Sequence, residues 1–426
     1  MIPMEALVEH TTKGRRNLIA SVAFFFSLWP MGSLFLLIKH WKTNWAKNLF
    51  WLFCVYFGFT FIIDPSGEAD SARYSQELIE LSQQDMTLSN FKDALYSSES
   101  NYVDLVQPVL TFLVSRFTDN PKILFAVFGL IFGFFYSRNI WYILERLNGR
   151  ITIIVGIFIL VFVLLDPIFN INGFRMGTAM HVFLYGTLPF LYDGNKKRLF
   201  WSFFSVFVHF SMFIPLLLLA IYMVAGNRLS LYFWFFVIAY FFSELNLQIV
   251  RESLSYLPGI FRTRLESYIG DDYVKAVAES TAETNWYLLY YLKLKSWVLL
   301  ALSVFLYYRA RKIIKAHPGY MNLFCFALLM CGLAKILSSL PSGGRFGIIG
   351  NLFMFALFTL FFSVNRKIRF LKELQILSLP VLILFIFVSI RLGLDYIGLA
   401  TILGNPVTSI LSNENNSLIN SIRELF

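Results

Sequence analysis

The polar residues that interrupt this chain are of the kinds that bind anions or move protons. The stretch "DPIFNINGFRMGTAMHVF", residues 166 to 183, sets Asp166, Asn170, Asn172 and Arg175 at the mouth of an apolar run, with His181 further in. "EADSARY" carries Asp70, Arg73 and Tyr74 at i, i+3 and i+4, one face of a helix. "FSVFVHFSMFIPLLLL" is interrupted by His209, Ser211 and Pro215. "LPSGGRFG" places Arg345 behind a glycine turn and at the start of a helix, whose first amides favour an anion. Ionisable groups in or beside membrane spans are costly and by default mark a pathway or a site. Each also has a plain structural reading. Arg175 can snorkel to the headgroups, Arg345 can anchor a hairpin, Asp70 with Arg73 can be an exposed ion pair, and a buried histidine can simply pack. His181 is read as structural and Lys335 as snorkelling outward. Several guanidiniums without clustered carboxylates suit an anion held bidentately, phosphate or pyrophosphate, rather than a divalent cation. An isoprenoid pyrophosphate also accounts for walls rich in phenylalanine.

The elements that must position these groups are membrane helices. With 426 residues, 57% hydrophobic and only 15% charged, the chain has more apolar surface than a soluble core can bury. Apolar stretches of about 20 residues recur along nearly the whole length, each long enough to cross a bilayer as a helix. The expected fold is an all-α, polytopic transmembrane bundle, residues 1–426 as one integral membrane domain, with about 10–13 membrane segments, some broken or re-entrant. The formal charge of +10 sits in short clusters between spans, which is topology information and not a sign of nucleic acid. Cys54, Cys325 and Cys331 lie inside apolar runs without His or Cys at metal-ligand spacing, so neither disulfide, metal nor other cofactor is expected. The N-terminal "KGRR" precedes an apolar run that continues without a small-residue cleavage site, and that run is expected to remain as a span.

Basic loops stay in the cytoplasm, so "KHWKTNWAK", "ERLNGR", "DGNKKR", "RARKIIKAH" and "NRKIRFLK" are read as inside. "KGRR" is the exception. Residues 64 to 104 hold nine carboxylates against Arg73 and Lys92, and 64–120 is expected to be an extracytoplasmic loop with a surface or re-entrant helix. Three apolar runs lie between "DGNKKR" and "RARKIIKAH", and three crossings cannot return to one side. The run broken near His209 is therefore expected to be two half-helices that enter and leave by one face, with His209 toward a cavity. Residues 250–285 become a second extracytoplasmic loop. Under this topology the polar groups all open outward.

In order and content these residues resemble the EpsG-like membrane proteins, a branch of the Wzy polysaccharide and O-antigen polymerases. "DSARY" comes first, then "FRMGTAMHVFLYG", where the family reads close to "RQGLA", then "GNKKR", "FVHFS" and "GGRFG". Met176 stands where the family usually has Gln, so no role is carried over to it. The resemblance covers about residues 60 to 365. It implies a polymerase that transfers a growing glycan from undecaprenyl pyrophosphate to a new lipid-linked repeat unit, in the bacterial plasma membrane with the site facing out. A chain-length regulator and a flippase of the same pathway are the implied partners, besides the bilayer. Arg175, Arg345 and Arg73 would then bind pyrophosphate, and Tyr74, Asp166, Asn170 and Asn172 the glycan. His209 suits a general base, with Asp70 as second choice. Attack opposite the leaving group inverts the anomeric centre. Two other classes remain: a glycan or lipid flippase, for which internal repeats are expected and not found, and a membrane acyltransferase using a histidine.

Overall fold

The computed structural model describes residues 18–63, 69–85, 87, 89–91, 93, 104–147, 151–241, 285–338, 343–365, 367–412 and 416–423. Among these it is helical throughout, apart from one isolated bridge between Phe61 and Ile397. In chain order the helices are α1 (Leu18–Leu28), α2 (Pro30–His40), α3 (Asn44–Phe59), α4 (Asp70–Gln83), α5 (Val106–Ser115), α6 (Pro121–Leu144), α7 (Ile153–Leu165) and α8 (Phe174–Asp193). They continue as α9 (Leu199–Val208), α10 (Phe213–Ala225), α11 (Leu229–Phe241), α12 (Trp286–Arg309), α13 (Arg311–Ala316), α14 (Pro318–Leu337), α15 (Gly344–Val364) and α16 (Leu371–Gly393). Three short ones follow, α17 (Leu399–Leu403), α18 (Pro406–Leu411) and α19 (Leu418–Arg423). Among the described residues six helical stretches are long and apolar enough to cross a membrane, the stretch from α7 through α8 counting as one of them, and four shorter apolar helices accompany them. The chain is a multi-pass membrane protein with an all-α bundle fold.

Local chemistry sets the ends. Proline opens α2, α6 and α14, where its missing N–H costs nothing. The Asn120 side chain caps α6, and Gly194, left-handed at φ 72°, closes α8. The N-terminal apolar run is two helices, because Pro30 interrupts it after Trp29. Close packing relies on missing side chains. A Cβ on Gly58 would meet the Phe125 carbonyl, and one on Gly129 the Cys54 carbonyl, so α3 and α6 touch backbone to backbone.

Two chain breaks fix the site. Phe158 in α7 packs its ring at 5.2 Å from Phe362, near the far end of α15, while Phe183 in α8 meets Phe353 at 6.1 Å. Helix α7 thus rises toward the start of α15 and α8 descends beside it, with the 3-10 turn Ile168–Gly173 between them. Helix α9 climbs back along α8, since a Cβ on Gly186 would meet Ser202 and the Ser211 hydroxyl lies 3.5 Å from the Met176 sulfur. After the 3-10 turn Phe210–Met212, α10 returns. At its foot the Asn227 amide donates to Asn322 at 2.7 Å, and Asn322 donates to the Leu191 carbonyl at 3.0 Å. The halves around His209 therefore start and finish at the same end of the bundle, as the parity of the basic loops requires. Within 64–120, α4 and α5 pack together, and α5 buries Gln107, Thr111 and Phe112. Residues 250–285 lie outside the described residues, except Asn285 at the cap of α12.

Candidate functional site

Arg175 is the second residue of α8, directly after the Ile168–Gly173 turn, and its guanidinium is the hub of the site. Nε donates to the Tyr74 hydroxyl at 3.0 Å and Nη1 to Asp104 Oδ2 at 3.2 Å. Nη2 stands 3.9 Å from Asp70 Oδ1, and Asp70 also pairs with Arg73. Asp104 is buried, its side chain 2% exposed, and its Oδ1 accepts the Phe210 amide at 2.8 Å. The Leu105 amide donates to the Phe207 carbonyl at 3.0 Å, which clips the acidic segment onto the His209 break. Tyr74 packs edge-on against Phe128. Burial, opposed chiefly by the neighbouring Arg175, pushes the Tyr74 phenol up to about 12, so it stays protonated and neutral. Two arginines and two carboxylates here balance in charge.

His209 sits on extended backbone between α9 and the Phe210–Met212 turn. Its Nδ1 accepts the Ser211 amide at 3.1 Å, lies 3.0 Å from the Ser211 hydroxyl and 3.9 Å from Asp104 Oδ1. An accepting Nδ1 puts the proton of the neutral ring on Nε2.

The structure thus unites Asp70, Arg73, Tyr74, Arg175 and His209, drawn from three separate stretches of sequence. It adds Asp104, which the sequence shows only as one of nine acidic residues in its segment. Asn172 joins the group from the turn: its Oδ1 accepts the Ser71 amide at 3.4 Å and its Nδ2 donates to the Tyr396 hydroxyl at 3.2 Å. Asp166 does not. It is fully buried, accepts from Asn170 Nδ2 at 2.6 Å, and its carbonyl takes His181 Nε2 at 2.9 Å. A glycan has no access to Asp166 in this geometry; the residue and His181 hold the turn against α8, which corrects the expectation of a sugar contact.

Arg345 lies elsewhere. It lines a cavity of about 530 Å³ on the far side of the turn, together with Asn170, Lys295 and Lys335, and none of Arg175, Asp70, Tyr74 or His209 reaches that space. Lys335 faces this cavity and does not snorkel outward. Lys295 was legible as a charge inside the apolar run "LLYYLKLKSWVLL", yet the same pattern fits a snorkelling side chain. Neither site looks built for a cation. Arginine occupies the space between Asp70 and Asp104 that a metal would need, and no group of three or more His, Cys, Asp or Glu converges among the described residues.

Curated proteins and solved structures yield no match to the chain. A family comparison does, over residues 86–398 of 426, a range that contains Asp104, Arg175, His209 and Arg345 and leaves out Asp70 to Tyr74. On that match over well more than half its length, the chain belongs to the EpsG family, a family of Wzy-like polysaccharide polymerases.

Proposed function

We propose that this protein joins undecaprenyl-pyrophosphate-linked oligosaccharide repeat units into a longer glycan on the extracytoplasmic face of the bacterial plasma membrane. The observation that carries the reading is the convergence of Arg175, Asp104, Tyr74, Asp70 and His209 at two helix breaks on one end of a membrane bundle. Family membership supplies the reaction class, polysaccharide polymerisation. In the step proposed, the acceptor hydroxyl oxygen forms a bond to the anomeric carbon of the donor, the bond from that carbon to the pyrophosphate breaks on the opposite face, and lipid pyrophosphate leaves. The acceptor proton passes to His209. For that, Nε2 must carry the lone pair and Nδ1 the proton, so the ring must release the Ser211 amide and turn Nδ1 to donate to Asp104 Oδ1, 3.9 Å away. Asp104 is in this reading a positioning residue, and Asp70 remains the alternative base. Arg175, with Arg73 at the rim, is assigned to the leaving pyrophosphate; Arg345, on the other side of the Ile168–Gly173 turn, lines a separate cavity. Tyr74 and Asn172 are assigned to sugar hydroxyls; Asn170, whose amide donates to the buried Asp166 and which lines the second cavity, is not.

Purified protein in vesicles, given a synthetic lipid-pyrophosphate oligosaccharide, is expected to produce a ladder of products spaced by one repeat unit. A substrate that stays at one repeat length, with protein folded and substrate bound, overturns the reading.

A further inference from the structure

The cavity beside Arg345 has a composition that the polymerase chemistry alone does not explain. Its walls come from the ends of α7, α14 and α15, from the Ile168–Gly173 turn and from the bodies of α11, α12 and α16, and they carry four cationic residues, Lys293, Lys295, Lys335 and Arg345. No carboxylate lines it among the described residues. Lys295 is buried, 3% exposed, nine residues into a 24-residue apolar helix. Its ammonium lies 4.4 Å from the Phe385 ring centre, and that of Lys335 lies 4.3 Å from the Tyr240 ring centre. Neither lysine, nor Arg345, forms an ion pair among the described residues. Aromatic faces soften the cost of such charges without cancelling it, and a buried ammonium without a counter-ion is expensive. The missing negative charge is most simply supplied by a ligand. One carboxylate would leave most of the positive charge uncompensated, whereas a phosphate ester or a pyrophosphate carries two or more negative charges with oxygens enough for several donors. The remaining wall, with Leu165, Phe236, Leu299 and Phe385, is apolar and lies among membrane helices.

We infer that this cavity binds a phosphate or pyrophosphate group, with Lys295, Lys335 and Arg345 as its cationic ligands and the apolar wall as a seat for the first part of an attached hydrocarbon tail. The inference deepens the polymerase reading and rests on it for the tail. The two lysines hold the anion while Arg345, at the mouth, closes over it.

The test is direct binding to the full-length protein in detergent, with three probes: a short prenyl pyrophosphate, inorganic pyrophosphate and the uncharged prenyl alcohol. The prenyl pyrophosphate is expected to bind and to raise the melting temperature, and the alcohol is not. Lys295→Met, Lys335→Met and Arg345→Gln should each weaken binding about ten- to a hundredfold, the loss expected for one charge-assisted contact to a desolvated anion. Without ligand, Lys295→Met should melt no lower than the parent, because it removes a buried unpaired charge. Arg345→Gln, at the exposed mouth, supplies a variant with little to lose in folding. Inorganic pyrophosphate that binds as tightly as the prenyl ester supports the anion site and assigns it to the free ion; weaker binding supports a lipid-borne group. Undiminished affinity for both anions in a Lys295→Met/Lys335→Met double variant overturns the inference. Because the readout is binding, a protein that binds without elongating glycan refutes the polymerase reading alone, and one that elongates while its lysine variants bind normally refutes this site alone.

Discussion

Arg175 donates to a phenol and a carboxylate and approaches a second carboxylate, so the planar fork matters as much as the charge. A lysine there keeps the charge as a single point and cannot bridge Tyr74 and Asp104 together. Arg175→Lys is expected to slow elongation roughly ten- to a hundredfold at normal protein abundance, and a rate equal to the parent's makes Arg175 a plain interface residue. Asp104→Asn should lower both elongation and melting temperature, since it leaves a half-buried guanidinium without its buried partner. His209→Ala should abolish elongation while lipid substrate still binds, and Asp70→Asn should weaken it only in part; the reverse pattern moves the base to Asp70. Tyr74 gives a pH signature. Its folded value near 12 lies above the unfolded value of about 10, so its contribution to stability is present below pH ~10 and is lost as pH rises through about 12. Melting measured from pH 9 to 12 should therefore fall less steeply for Tyr74→Phe than for the parent. Arg175 and His209 were legible because a polar residue stands out in an apolar run. Asp104 was not, because an acidic segment offers many carboxylates and only the folded chain selects the one that reaches the Phe210 amide.

Helices that interrupt themselves do most of the positioning. The break at His209 could be read from run length and loop charge, because a run of that size between two inside loops has no room for two full crossings. The turn at Ile168–Gly173 showed in its polar letters, but not which way those letters face: Asp166 turned inward to His181, and Asn170 turned toward the second cavity. Side-chain direction within a turn depends on the helices that pack around it, here α7, α8 and α15, and sequence spacing alone does not determine it. Reporter fusions at Gly194 and Asn227 are expected to report the same side of the membrane; opposite sides make the run a single crossing. The glycine contact between α3 and α6 has its own test. Gly129→Leu forces a side chain into the Cys54 carbonyl and should cost at least about 1–3 kcal/mol, visible as a lower melting temperature and reduced abundance in the membrane.

For the whole molecule, both breaks, the acidic helix α4 and the cationic cavity gather at one end of the bundle, with the basic turn at Lys196 to Arg198 at the other. The proposed orientation, taken from the loop charges, puts the first end outside. The three native cysteines are buried, so a single introduced cysteine reports cleanly. Gln84→Cys should react with an impermeant thiol reagent in intact cells and Lys196→Cys only after permeabilisation, and the opposite pattern inverts the protein. Glycan transfer in this proposal is coupled to loss of lipid pyrophosphate. Its most direct measurement counts, in vesicles holding the purified protein and a lipid-pyrophosphate oligosaccharide, the lipid pyrophosphate released for each new glycosidic bond. One is expected to be released per bond formed, with both falling together in Arg175→Lys. Substrate that crosses the vesicle membrane at unchanged length, with no lipid pyrophosphate released, contradicts the proposal.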